Sequence, residues 1–242
     1  MSSVVPILIL SVVGMILQGI FIAVDHKDKF VPAVVLKGSA SLVFVIVGFI
    51  GYGKFLGSSA ASNTDATQGL TRTVCLMICL GLVFGMLGDI LLALRFVFKA
   101  AKHQFFLAGT LIFFIGHIFY MVALVPMSSN LLISVLIGAV VAAFILVILY
   151  KTMEVNQAYR LFGIFYIEAV VIMSAIAIGN RITVASAFRT WYAVGAVLFM
   201  ISDLVMIYNS FGKEHRAFLR LMNLSLYYVG QLLIATSILF YA

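Results

Sequence analysis

"VFGMLGDILLALRF", residues 83–96, is an apolar run that carries one carboxylate, Asp89, before it closes on Arg95 and Phe96. A second run, "VLFMISDLVMIY" at residues 197–208, repeats the pattern at Asp203. The solvent around these runs decides how the two acids are read. The chain is 64% hydrophobic and only 10% charged, and its mean hydropathy is +1.23. Soluble domains carry roughly 25% charged residues, so this chain has too few to cover a water-facing surface. It reads as an all-α polytopic membrane protein. A barrel is disfavoured, because barrel strands alternate apolar and polar residues and the apolar runs here are continuous.

Apolar stretches fall at about 4–24, 31–52, 72–94, 104–125, 131–150, 160–179, 189–209 and 218–241. A helix crosses the hydrocarbon in about 20 residues, so eight spans are expected, forming one transmembrane domain over residues 1–242. The first, "VVPILILSVVGMILQGIFIAV", lacks a basic leader and is too long for a signal-peptide core. It is expected to be a retained span. The longest connection, "KFLGSSAASNTDATQG" at residues 54–69, is read as a flexible loop. Cys75 and Cys79 lie four apart on one helix face, without metal-ligand spacing, and are expected to be packed thiols.

Eight spans put both termini on one side. The loops of that side hold Lys54, Arg72, Arg181 and Arg189; the opposite side holds ten basic residues, among them Lys27, Lys29, Arg95, Lys99, Lys102, Lys151, Arg160, Lys213, Arg216 and Arg220. The positive-inside rule makes the second side cytoplasmic, with both termini outside, in a cell-membrane protein. The net charge of +7 therefore reflects topology, and nucleic acid is not an expected partner.

Asp89 lies six residues before Arg95, roughly 9 Å below the charged edge of its helix at 1.5 Å per residue. Asp203 is similarly deep in a helix of the same direction, so the acids share a membrane layer. Lys37 and Glu168 are each about eight residues into a span that starts on the charged side, roughly 12 Å deep. Asn223 and Tyr227 enter from the same side, and His117 and Tyr120 lie near or beyond the midplane. An ionisable group inside a span costs roughly 2.5–3.5 kcal/mol on insertion scales and marks function by default. Lys37 also has a purely structural reading, an ion pair with Asp89 or Glu168.

The two acid runs match further. Gly81 and Gly195 precede the acids by eight, and Lys99 and Lys213 follow by ten. "FIGHIF" and "YVGQLL" place Gly116–His117 and Gly230–Gln231 at equal offsets. A weak repeat of about 1–125 and 131–242 is expected, setting the two acids across a pseudo-twofold axis and facing one cavity. Carboxylates that share a poorly hydrated pocket divide their roles: one keeps a proton and acts as an acid, while its ionised partner steadies a cation or activates water. Such a pair suits an acetal or enol ether, which breaks through an oxocarbenium-like state. No G-x-S-x-G elbow or H-E-x-x-H zinc motif is visible.

"GDILLALRF", "FLAGTLIFFIGHIFY" and "VGAVLFMISDLVMIYNSF" together resemble the YhhN-like lysoplasmalogenase family. Asp89 matches its first acid, His117 and Tyr120 its G-H-x-x-Y, and Asp203 its S-D acid. Lys37 matches a lysine that the family usually follows with proline; Gly38 follows here. Glu168 matches no motif of the family. The resemblance implies a membrane enzyme that hydrolyses the vinyl ether bond of lysoplasmalogens to a fatty aldehyde and a glycerophospho-alcohol, with no metal or organic cofactor. Asp89, Asp203, His117 and Tyr120 are then the catalytic candidates. Lys37, Glu168, Ser202, Asn223 and Tyr227 are candidates for substrate binding. At the rim, Arg95 and Lys99, with Lys213 and Arg216, are candidates to hold the phosphate. A proton- or ion-coupled transporter is the competing reading, weakened by only three prolines and no broken helix pair. A lipid-binding scaffold is a third.

Overall fold

The computed structural model describes residues 4–59, 65–153, 157–212 and 216–241. Eight long helices fill them: α1 (Val4–Asp25), α2 (Phe30–Ser59), α3 (Asp65–Val97), α4 (Lys102–Leu124), α5 (Leu131–Thr152), α6 (Gln157–Thr183), α7 (Ala187–Phe211) and α8 (Ala217–Ser237). Each is long and apolar enough to span a bilayer, the architecture of an integral membrane protein. Among the described residues the only β pairing is an isolated bridge between Met153 and Gly212.

The helices run far because little in them breaks a helix. Pro6 and Pro32 stand in the first turns of α1 and α2, where a missing N–H costs nothing. Pro126 lies in the short 3₁₀ turn that ends α4. Ser186 caps α7 by accepting from the Arg189 amide at 3.2 Å. Asp28 turns the chain between α1 and α2 with φ 55°, a left-handed position that Asp tolerates better than most residues. Residues 54–69 differ from the sequence expectation. Helix α2 continues to Ser59 and α3 begins at Asp65, since Lys54, Phe55, Leu56 and the following serines extend a preformed helix at little cost; residues 60–64 lie outside the described ones.

Consecutive helices pack as antiparallel neighbours from α1 to α4 and from α5 to α8, and α7 packs on α6. The closures are α2 against α8 and α4 against α6. Helices α1 and α5 flank the bundle, each with only 22% of its span buried. Their outward residues are apolar: Leu132 and Val140 on α5 are 72% and 70% exposed. The polarity of a soluble protein is thus inverted. Aliphatic side chains cover the outside, whereas Lys37, Ser41, Asp89, His117, Asp203 and Gln231 are buried within.

Candidate active site at the charged end of the bundle

The buried polar side chains fall into two clusters, one around each aspartate. Asp89, on α3, is held by two hydrogen-bond donors and an ion-pair partner. The Lys37 ammonium stands 3.2 Å from Oδ1, while Ser41 Oγ and Tyr227 O–H donate to Oδ2 at 2.5 and 2.8 Å. Lys37 and Ser41 are four apart on α2 and so present one helix face to α3. The Lys37 ammonium also lies 4.6 Å from the centre of the Tyr227 ring, a cation–π contact that adds to the ion pair. A relay extends behind Tyr227: Gln231 Nε2 donates to its oxygen at 3.3 Å, and Tyr120 O–H donates to Gln231 Oε1 at 2.7 Å. Gly85, one turn before Asp89, makes this possible, since a Cβ there would meet Gln231 Nε2 at 2.6 Å.

Asp203, on α7, has different company. Tyr166 O–H of α6 donates to Oδ2 at 2.6 Å, and His117 Nε2 of α4 lies 3.3 Å from the same oxygen. His117 is fully buried, its ring packed on Phe199 and Tyr166 at 4.8 and 5.4 Å between centres; its Nδ1 has no hydrogen-bond partner among the described residues. Among those residues no Lys or Arg pairs with Asp203 as Lys37 pairs with Asp89. The imidazole can donate to the carboxylate or accept a proton from it.

Both aspartates line one cavity of about 490 Å³, along with Lys37, Phe113, Asn223 and Tyr227. The same cavity reaches the basic face of the bundle, where Asp25, Arg95, Lys102, His103 and Arg220 line it. Arg220 of α8 is paired with Asp25 of α1 at 2.6 Å. Its walls thus run from a charged mouth through aromatic rings to the carboxylates, a form that fits an amphiphile.

Several sequence candidates stand elsewhere. Tyr120 is buried behind Gln231 and does not reach the cavity wall; it acts on Asp89 only through the relay. Ser202 is tied to α8, donating to the Asn223 carbonyl at 3.0 Å and accepting from Asn223 Nδ2 at 2.9 Å, so it braces two helices. Glu168 is half-buried on α6, away from the cavity: its neighbours Tyr166 and Ile167 take the inward positions. Lys99 is exposed in the α3–α4 turn and off the cavity wall, a place taken by Lys102 and His103. Arg216 is exposed, and Lys213 lies outside the described residues. Cys75 and Cys79 are buried free thiols. The sequence pattern does not mark Ser41, Tyr166, Asp25 or Arg220 as site residues. Ser41 carries one signal, its four-residue spacing from Lys37; a tyrosine in an apolar span carries none.

A family model matches residues 56–238, described as the YhhN family. The chain belongs to the YhhN family. Neither a curated protein nor a solved structure matches it. The part shared with the YhhN family takes in Asp89, His117, Tyr166, Asp203 and Tyr227; Lys37 and Ser41, which hold Asp89 from α2, precede it.

Proposed function

We propose that this chain hydrolyses the vinyl ether bond of a lysoplasmalogen, releasing a fatty aldehyde and a glycerophospho-alcohol. The observation that carries the reading is the unequal surroundings of two carboxylates on one cavity. In this reading Asp89, paired with the Lys37 ammonium and accepting from two hydroxyls, is the carboxylate that steadies the cation, and Asp203, facing a phenol and an imidazole, takes the role of the acid. Membership of the YhhN family supports a hydrolase of this kind.

In the proposed reaction Asp203 gives its proton to the vinyl carbon that does not bear oxygen. The electron pair of the double bond forms the new C–H bond, and the ether oxygen shares the resulting positive charge. Asp89 stabilises that oxocarbenium ion. Water adds to the carbon bearing oxygen, and its proton returns to the Asp203–His117 pair. The hemiacetal then collapses: the Asp203–His117 pair gives a proton to the glycerol oxygen as the carbon–oxygen bond to glycerol breaks, the hemiacetal hydroxyl returns its own proton to that pair as the carbonyl forms, and the aldehyde leaves. Phe113, Tyr227 and Phe199, packed edge to face at 5.7 and 5.2 Å between centres, keep bulk water from the cation. In this reading the charged face is cytoplasmic and both termini lie outside, in the plasma membrane.

The test is aldehyde release by purified Asp89→Asn and Asp203→Asn proteins in detergent. Each variant is expected to keep its fold and lose at least about a hundredfold in turnover. Wild-type-like turnover in either would remove that aspartate from the mechanism.

A further inference from the structure

The formal charges on the cavity wall do not balance. Its acids are Asp25, Asp89 and Asp203, and its bases include Lys37, Arg95, Lys102 and Arg220. Lys37 is held by Asp89, and Arg220 by Asp25. Arg95 has no carboxylate within ion-pair distance among the described residues, and its Nε is buried without a hydrogen-bond partner. Its guanidinium lies over rings instead, 4.6 Å from the centre of Phe96 and 5.2 Å from that of Phe106. A guanidinium whose neighbours are rings has N–H groups to offer a two-pronged acceptor, and phosphate oxygens match that fork.

Helix α3 fixes where such an acceptor lies relative to the chemistry. Arg95 follows Asp89 by six residues on one unbroken helix, a rise of about 9 Å. Glycerol with its two flanking oxygens spans somewhat less than that rise between a phosphorus atom and an ether-linked carbon, and the Arg95 and Asp89 side chains, both on the cavity wall, reach across the remainder. We infer that Arg95 is the phosphate subsite of this cavity and that its offset from Asp89 is a ruler selecting a phosphate ester of glycerol over a neutral glycerol ether. The identity of the bond that breaks rests on the function proposed above; the subsite does not. Arg220 is a weaker candidate because Asp25 already neutralises it.

Binding without turnover tests this. Purified protein in neutral detergent is titrated with 1-O-hexadecylglycerophosphocholine, whose alkyl ether is inert to acid hydrolysis, and with 1-O-hexadecylglycerol, which lacks the phosphate. The wild type is expected to bind the phosphate lipid roughly tenfold to a hundredfold more tightly, the range for charge-assisted hydrogen bonds. Arg95→Met is expected to abolish that difference, Arg95→Lys to keep part of it, and Lys99→Met to leave it unchanged. The Lys variant retains the charge and shows whether loss in the Met variant is local. Equal binding of the two lipids by the wild type, or full discrimination by Arg95→Met, would overturn the assignment. So would displacement of the lipid by inorganic phosphate or glycerophosphocholine at the lipid's own concentration, which would make this a free-anion site. Because no bond breaks in this assay, a phosphate preference alongside absent aldehyde release would sink the proposed reaction and leave the subsite standing.

Discussion

A carboxylate in a membrane-spanning helix is tolerable only with partners, and the partners decide what it does. At Asp89 the partner set includes an ammonium. Removing Lys37 alone strands a buried negative charge, so Lys37→Met is expected to destabilise the protein by about 3–5 kcal/mol, read as a lowered melting temperature in detergent. Lys37→Met with Asp89→Leu removes both charges and should recover most of that loss while remaining inactive. If Lys37→Met melts like the wild type, the ion pair contributes no stability. At Asp203 the telling residue is Tyr166, which donates at 2.6 Å. Tyr166→Phe is expected to lower kcat by about a hundredfold with little change in KM. Tyr120→Phe, three hydrogen bonds away from Asp89, should cost less than about tenfold. An equal loss in both would mean that the relay matters as much as direct contact. The sequence made both acids legible, because an ionisable group in an apolar run stands out. It hid Tyr166 and Arg220 because hydroxyl and basic side chains are ordinary at their positions. It misplaced Glu168 because depth along a helix says nothing about which way a side chain faces.

Among the elements, several close approaches fall on glycines. A Cβ on Gly195 of α7 would meet the Gly230 carbonyl oxygen at 2.7 Å, and one on Gly230 would meet that of Gly195 at 2.8 Å. Gly81 and Gly116, at the matching positions of the other acid run, also face each other: a Cβ on Gly116 would lie 3.3 Å from the Gly81 oxygen. These pairs bring α7 against α8 and α3 against α4, the two helix pairs that carry the aspartates. The closures α2–α8 and α4–α6 exchange with each other when α1–α4 are swapped for α5–α8, whereas the packing of α1 and α3 on α8 has no counterpart of similar extent. Gly230→Ala is expected to lower stability by about 1–3 kcal/mol, whereas Gly19→Ala on α1, with nothing within 4 Å of the new Cβ, should leave the melting temperature unchanged or raise it. Similar melting of the two variants would show that the α7–α8 contact is looser than drawn. The span count was legible because length and apolarity set it directly. The ends of α2 and α3 were not, since small polar residues of 54–69 are compatible with helix or loop, and an existing helix decides between them.

The whole molecule presents aliphatic side chains outward, buries Lys37, Asp89 and Asp203 within, and opens a lined cavity at one basic face. That face carries ten basic residues against four on the other. Single cysteines placed at Lys27 and Lys151 are therefore expected to resist a membrane-impermeant thiol reagent in intact cells, and one at Arg181 to react. The reverse pattern would invert the topology. All three prolines sit at helix ends, unlike the proline-broken helices from which carriers build midplane sites. The most direct test of the account is hydrolysis of a lysoplasmalogen by the purified protein in detergent and deuterated water, with the aldehyde trapped by reduction and weighed by mass spectrometry. Protonation at carbon by Asp203 predicts an aldehyde carrying one deuterium beside its carbonyl. No aldehyde at all, or an aldehyde without that deuterium, would contradict it.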